Sequence, residues 1–300
     1  MATSTQTCTL NLPAGYRVAD MLKFHQRDAQ AFSERVENNA LHKGIVWEGQ
    51  VACLSVHFQP DRADVKIAID GRSTAANAEM LSRHVERMFG LTQPIDAFET
   101  HFRQHPQIGN LIARQSGLRV PLAATPFEAL TWAITGQQIS VSAAVSMRRK
   151  LIKAAGLCHS DGLACYPDAA RLARLSADDF RAAGFSASKT QTLMTVSRQV
   201  LSGELPLDDW LERPPHDVLG ERLLNIRGIG LWTVNYTLLR GFGWLDGSLH
   251  GDVAVRRALQ RLPGATEKIS EAAAKSWLDQ FSPWRALVGA HLWASLSLPA

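Results

Sequence analysis

The residues best suited to chemistry in this chain fall in two short segments. The first, Leu223 to Arg240, reads LLNIRGIGLWTVNYTLLR. An apolar helix carrying Val218, Leu219, Leu223 and Leu224 runs into Ile226-Arg227-Gly228-Ile229-Gly230, and a second helix follows at once, so a hairpin spans 224–232. Glycines there allow a positive φ and leave no Cβ in front of the amides. The free N–H groups of Gly228, Gly230 and the new helix then form a donor cluster at a positive helix end, a seat for a phosphate oxygen. Arg227 adds charge, and Ile226 and Ile229 plug the gap between the helices. The bland reading of Gly-x-Gly is an ordinary helix corner.

The second segment, Ser248 to Arg257, holds Asp252 just before a helix, where a carboxylate serves as an N-cap. Asp252 lies 22 residues beyond Gly230, enough for one helix and a return loop. That path brings the carboxylate back to the face where the hairpin would hold an anionic strand. An acid beside a phosphodiester needs a chemical reason, because like charges repel.

The elements that must position these groups are legible in outline. Residues 1–106 mix periods: a short strand at Leu10–Leu12, a helix over Val18–Phe32, β-branched strand runs at Gly44–Phe58 and Asp64–Asp70, and a helix over Ala75–Phe89. This is an α+β unit, an antiparallel sheet with helices on one face. Strand signals almost vanish over residues 107–300. Thr125-Pro126-Phe127-Glu128 is a capping box with proline at the first helical position. That helix breaks at Gly136-Gln137-Gln138 and restarts after Ser140 as a basic helix with Arg148, Arg149 and Lys150. Further helices are expected near 168–175, 177–183, 187–202, 217–225, 231–241, 253–262, 268–280 and 282–296. An α+β domain followed by an all-α domain results.

Composition narrows the function classes. With 46% apolar and 20% charged residues, the chain must bury a large core. Its net charge of +4 hides an asymmetry: residues 1–106 carry 11 basic and 12 acidic side chains, residues 107–300 carry 21 and 16. Affinity for an anion should therefore reside in the second part. The longest uncharged run, Ala129–Met147, is too polar to span a membrane, and Met1–Leu12 does not read as a signal peptide, so a cytoplasmic address is expected. Cys8, Cys53, Cys158 and Cys165 are too sparse for a disulfide framework and too few for an iron–sulfur site after Cys165; they read as structural. No His, Cys or acidic group has zinc spacing, and no metal or cofactor is expected.

The pairing of IRGIGLWTVNY with HGDVAV resembles the helix-hairpin-helix (HhH-GPD) glycosylase superfamily, and within it the AlkA-type DNA-3-methyladenine glycosylases II. PFEALTWAITGQQISVSAA, FSPWRALVGAHLW and TLNLP followed by MLKF extend the resemblance over nearly the whole chain. It implies a TBP-like α+β domain followed by the glycosylase domain. It also implies an enzyme that excises alkylated bases of the 3-methyladenine and 7-methylguanine type from double-stranded DNA in base excision repair, acting as a nucleoid-associated monomer. By the same resemblance Asp252 is the catalytic carboxylate, which stabilises the oxocarbenium-like sugar or deprotonates the attacking water, Trp232, Tyr236, Trp293 and Phe24 are aromatic walls of the base pocket, and Gln138 stands where the family inserts a wedge. Aromatic walls suit an extruded base, and a cationic one most of all. Superfamily members that cleave the strand through a Schiff base carry lysine where this chain has Trp232, so hydrolysis leaving an abasic site is expected. Two alternatives stay open: a glycosylase for deaminated or oxidised bases, and a noncatalytic damage-binding protein.

Overall fold

A computed structural model of the chain describes residues 3–71, 78–262 and 269–297. The N-terminal part is a five-stranded antiparallel sheet, β1 (Thr3–Asn11), β2 (Glu34–Glu37), β3 (Ala40–Trp47), β4 (Gln50–Phe58) and β5 (Arg62–Asp70), in the order β1-β5-β4-β3-β2. Two helices, α1 (Val18–His25) and α2 (Ala78–Met88), go with it. Strand alternation sends Leu54, Val56, Val65 and Ile67 into a core shared with Leu81, Val85 and Met88 of α2.

Sequence and structure differ here at identifiable turns. The run Gly44–Phe58 is two strands, because Glu48 and Gly49 both adopt positive φ and fold it into a tight hairpin. Asn38 and Asn39 do the same between β2 and β3, a strand absent from the periodicity reading. β1 runs back to Thr3 through a polar stretch that its full-length pairing with β5 sustains. The first helix stops at His25, well short of Phe32.

The remaining helices are α3 (Ile95–Phe102), α4 (Gly109–Arg114), α5 (Pro126–Gly136), α6 (Val141–Ala155), α7 (Ala169–Leu172), α8 (Ala177–Ala182), α9 (Ala187–Ser202), α10 (His216–Leu224), α11 (Leu231–Phe242), α12 (Val253–Leu259), α13 (Glu271–Asp279) and α14 (Arg285–Ser295). Every helix expected after residue 125 forms. The start of the helix expected from Ala75, and residues 263–268, lie outside the described residues. Ile95, Phe98 and Phe102 of α3, N-terminal to the division expected at residue 106, pack in the helical core with α12, α13 and α14. A second helical core joins α5, α9, α10 and α11 and takes in Ile226 and Ile229 of the hairpin. No described helix is long and apolar enough to cross a membrane.

The capping box at α5 is only half made. Thr125 Oγ1 accepts from Glu128 N at 3.0 Å, but the Glu128 carboxylate accepts from Ala124 N and turns its other oxygen to two cations. Lys43 of β3, 1% exposed, bridges Glu34 of β2 and Glu128 of α5. Arg148 of α6 meets the same two carboxylates, and His25 Nδ1 lies 3.0 Å from Glu34. Burial alone would raise the Glu34 and Glu128 carboxyls, yet Lys43 and Arg148 more than offset it and hold both below the ordinary value. The sheet is thus bolted to the helices by a dry ionic cluster, and Arg148 of the basic helix faces inward.

Candidate active site

Asp252 is the N-cap of α12, and its Oδ1 accepts from Ala254 N at 2.8 Å and Val255 N at 3.0 Å. The capping role is therefore real, but it leaves Oδ2 over. Trp293 Nε1 of α14 donates to Oδ1 at 3.1 Å, and Trp232 Nε1 of α11 donates to Oδ2 at 2.9 Å. Four N–H donors from three helices fix the carboxylate in one orientation, and Oδ2, with a single donor, keeps lone-pair capacity for a ligand.

The indoles that hold Asp252 also reach the other aromatic residues. Trp232 and Tyr236, one turn apart on α11, have ring centroids 5.2 Å apart, and Tyr236 lies 6.2 Å from Trp293. Tyr236 and Phe24 line a cleft between the sheet domain and the helices. Trp232 and Trp293 are not in its lining. They sit on the Asp252 side of Tyr236, so they anchor the acid as well as extend the aromatic surface. Sequence reasoning passed over three further cleft residues: Trp132 of α5, Arg148 of α6 and Arg240 of α11. Arg240 was detectable, since Trp232, Tyr236 and Arg240 follow at four-residue steps on one helix face. It lies over Phe24 at 4.8 Å and Trp293 at 5.5 Å, and although burial pulls it down to about 10 it stays protonated at neutral pH.

The hairpin has the expected form. Gly228 takes φ +93°, and a Cβ there would overlap the Thr192 hydroxyl, which donates to Arg227 O at 2.9 Å. Gly230, the N-cap of α11, faces open space. Among the described residues, neither Gly228 N–H nor Gly230 N–H donates to another backbone group. Gly228→Ala should lower stability by about 1–3 kcal/mol, since alanine must hold a positive φ while Thr192 gives up its bond; a urea unfolding midpoint would show it.

Gln137 and Gln138 divide two roles. Gln137 Nε2 donates to Gly228 O and Thr233 Oγ1, both at 2.9 Å, tying the α5–α6 loop to the hairpin. Lys189 Nζ donates to Thr135 O and Gln137 O and holds the loop from behind. Gln138 at its apex is exposed, with φ +58°. The structure thus brings Asp252, the aromatic set, the hairpin and Gln138 to one region.

All four cysteines are free thiols, with Cys53 and Cys165 buried and Cys158 exposed. Cys53, His159 and Asp161 converge to within 4.8 Å of one another, a grouping hidden in the sequence by the distance between β4 and the loop after α6. Their own contacts account for it. His159 lies 2.9 Å from Asp161 and 3.4 Å from Asp70, and burial with the nearby Asp161 pushes the Cys53 thiol up to about 11.

Comparison with known proteins fits this geometry. The chain is 30% identical over 190 residues to DNA-3-methyladenine glycosylase 2 of Escherichia coli (strain K12), covering 62% of this chain and 63% of that protein. It is 24% identical over 294 residues to DNA-3-methyladenine glycosylase of Bacillus subtilis (strain 168), covering 96% of each. The fold matches a 3-methyladenine DNA-glycosylase from Archaeoglobus fulgidus with a TM-score of 0.81 at 20% identity, over 97% of this chain and 100% of that one. The AlkA N-terminal domain model matches residues 7–125, and the model of the HhH-GPD superfamily base excision DNA repair proteins matches residues 131–281. With both models matched in this order, the chain belongs to the HhH-GPD superfamily as a DNA glycosylase of the AlkA type.

Proposed function

We propose that this protein is a monofunctional glycosylase that flips alkylated purines out of duplex DNA and hydrolyses the N-glycosidic bond. The observation that carries the reading is the Asp252 carboxylate, oriented by two indole N–H groups beside an aromatic cleft. Extraction of the nucleotide costs a few kcal/mol, which stacking on Tyr236 and its neighbours at about 1–3 kcal/mol per base can offset. As the C1′–N bond stretches, positive charge develops on the sugar, and Oδ2 of Asp252 stabilises it or takes a proton from the attacking water. An N-alkylated purine is already a good leaving group, so no acid is needed to protonate it.

The hairpin amides of Gly228 and Gly230, with Arg227, would hold a backbone phosphate next to the lesion. Gln138, at the loop apex, would fill the gap in the duplex. Ile139, Val141, Leu224, Leu231 and Val253 are exposed on the loop, the hairpin ends and the start of α12, and such clustered apolar exposure marks a contact surface. At the hairpin position where a Schiff-base lysine would stand is Trp232, bonded to Asp252. Several relatives carry the name DNA-3-methyladenine glycosylase, in line with an alkylated base as substrate.

Incubation with methylated duplex DNA tests the reading. Free 3-methyladenine and 7-methylguanine should appear, with strand breaks only after alkali. Breaks formed without alkali would overturn the monofunctional mechanism, and release of neither base would overturn the alkylpurine assignment.

A further inference from the structure

Most charges in the wall of the cleft are answered by a neighbour, and Arg240 is the buried exception. Glu34 and Glu128 are met by Lys43 and Arg148, and Asp28 is met by Arg149 at 3.3 Å. Arg27, over Phe24 at 4.2 Å, is exposed, so water and salt screen it. Arg240 is 8% exposed, and no carboxylate pairs with it among the described residues. Its Nη1 donates to Pro121 O at 2.7 Å, its Nε has no acceptor among the described residues, and the Phe24 and Trp293 rings lie 4.8 and 5.5 Å from the guanidinium carbon. A buried charge without a counter-ion is costly to hold, and such groups gather at working sites.

Arg240 lines the cleft and Asp252 does not, yet one indole touches both. Trp293 packs under the Arg240 guanidinium and donates its Nε1 to Asp252 Oδ1 at 3.1 Å. With a base in the cleft, a fixed cation stands on the base side of the site and a fixed anion on the sugar side. Hydrolysis of an N-alkylated purine moves charge along that line. When the C1′–N9 bond breaks, its electron pair passes to the base, which becomes neutral, and the positive charge appears on the sugar. Water then adds its oxygen to C1′ and gives a proton to Asp252. Arg240 thus opposes the bound cation more than it opposes the transition state, which is the condition for speeding a chemical step. A Coulombic effect of this kind needs no hydrogen bond to the base.

Taking the cleft as the base pocket of the proposed glycosylase, we infer that Arg240 is a second electrostatic group of the reaction, driving positive charge off the alkylated base while Asp252 receives it at the sugar. The cost falls on binding, because the same guanidinium repels the cationic base before the bond breaks.

The test uses the whole protein and a duplex oligonucleotide carrying one 7-methylguanine. Single-turnover excision at increasing protein concentration separates the maximal rate constant from the concentration that gives half of it. Arg240→Gln removes the charge: the maximal rate constant should fall about 10–100-fold, while the half-saturating concentration stays the same or drops. Arg240→Lys restores a cation and should run at least about 3-fold faster than Arg240→Gln. A packing role gives another pattern, with lysine no faster than glutamine or with the loss carried by the half-saturating concentration. Either result would overturn the inference, as would a maximal rate constant in Arg240→Gln within about 3-fold of the unaltered protein. If Arg240→Gln fails to fold, Arg240→Met, apolar and of similar length, is read by the same two constants. Failure of the underlying function looks different: the unaltered protein would then release no methylated base.

Discussion

Replacing Asp252 by asparagine should reduce base excision by at least about 10³-fold while DNA affinity changes only a few-fold. Asparagine caps a helix about as well as aspartate, so the start of α12 survives through Ala254 N and Val255 N. The negative charge does not survive, and neither does one acceptor. If the amide oxygen stays on the cap, the amide nitrogen faces the Trp232 N–H, donor against donor, at a cost of about 1–3 kcal/mol. General-base assistance alone is worth about 10²–10⁴-fold, and preorganised charge opposite a developing oxocarbenium adds to it. Single-turnover excision and an equilibrium binding titration on the same methylated duplex check the two halves. Excision within about 10-fold of the unaltered protein would remove Asp252 from the chemistry.

The second large effect concerns stability. Lys43→Met keeps the aliphatic stem and deletes the ammonium that Glu34 and Glu128 share. Removing one partner of a buried ionic cluster leaves charge uncompensated, and about 3–5 kcal/mol of stability should be lost. For a chain of this size that is a fall in Tm of about 6–10 °C, read by thermal denaturation at neutral pH. The pH dependence has a definite sign. Both carboxyls are held below the ordinary 4.5 in the folded protein, so their contribution is complete above that value and is lost as pH falls through the folded-state values. In Lys43→Met the offset to burial is weaker, and the acid loss should begin at higher pH. A melting series from about pH 3 to 7 on both proteins would reveal it; superimposable profiles would mean the cluster does not bear on stability.

The helices after residue 125 and the hairpin could be read from the chain because their causes are local. Ser140, Asp168, Ser176, Ser186, Asp252 and Ser270 each cap the helix that follows, and the glycines of the hairpin need no distant partner to turn the chain. The resemblance then supplied Asp252, Trp232, Tyr236, Trp293, Phe24 and Gln138, and the fold gathers them in one region. What failed to show was pairwise and remote. β2 exists because β3 offers it an edge, and Asn38-Asn39 was the missed turn signal. Glu128 looked like a capping-box partner until Lys43, 85 residues away, claimed its carboxylate.

By itself, then, the sequence determined the helices after residue 125, the glycine turn between two of them and the acid that caps a later one, since each is encoded within a few helical turns. Tertiary structure decided which groups those residues meet: two indoles on one carboxylate and a cluster of buried ions beside the cleft. Such contacts join residues tens to hundreds of positions apart. No period or local spacing records them, because burial and hydrogen-bond partnership are properties of the packed chain.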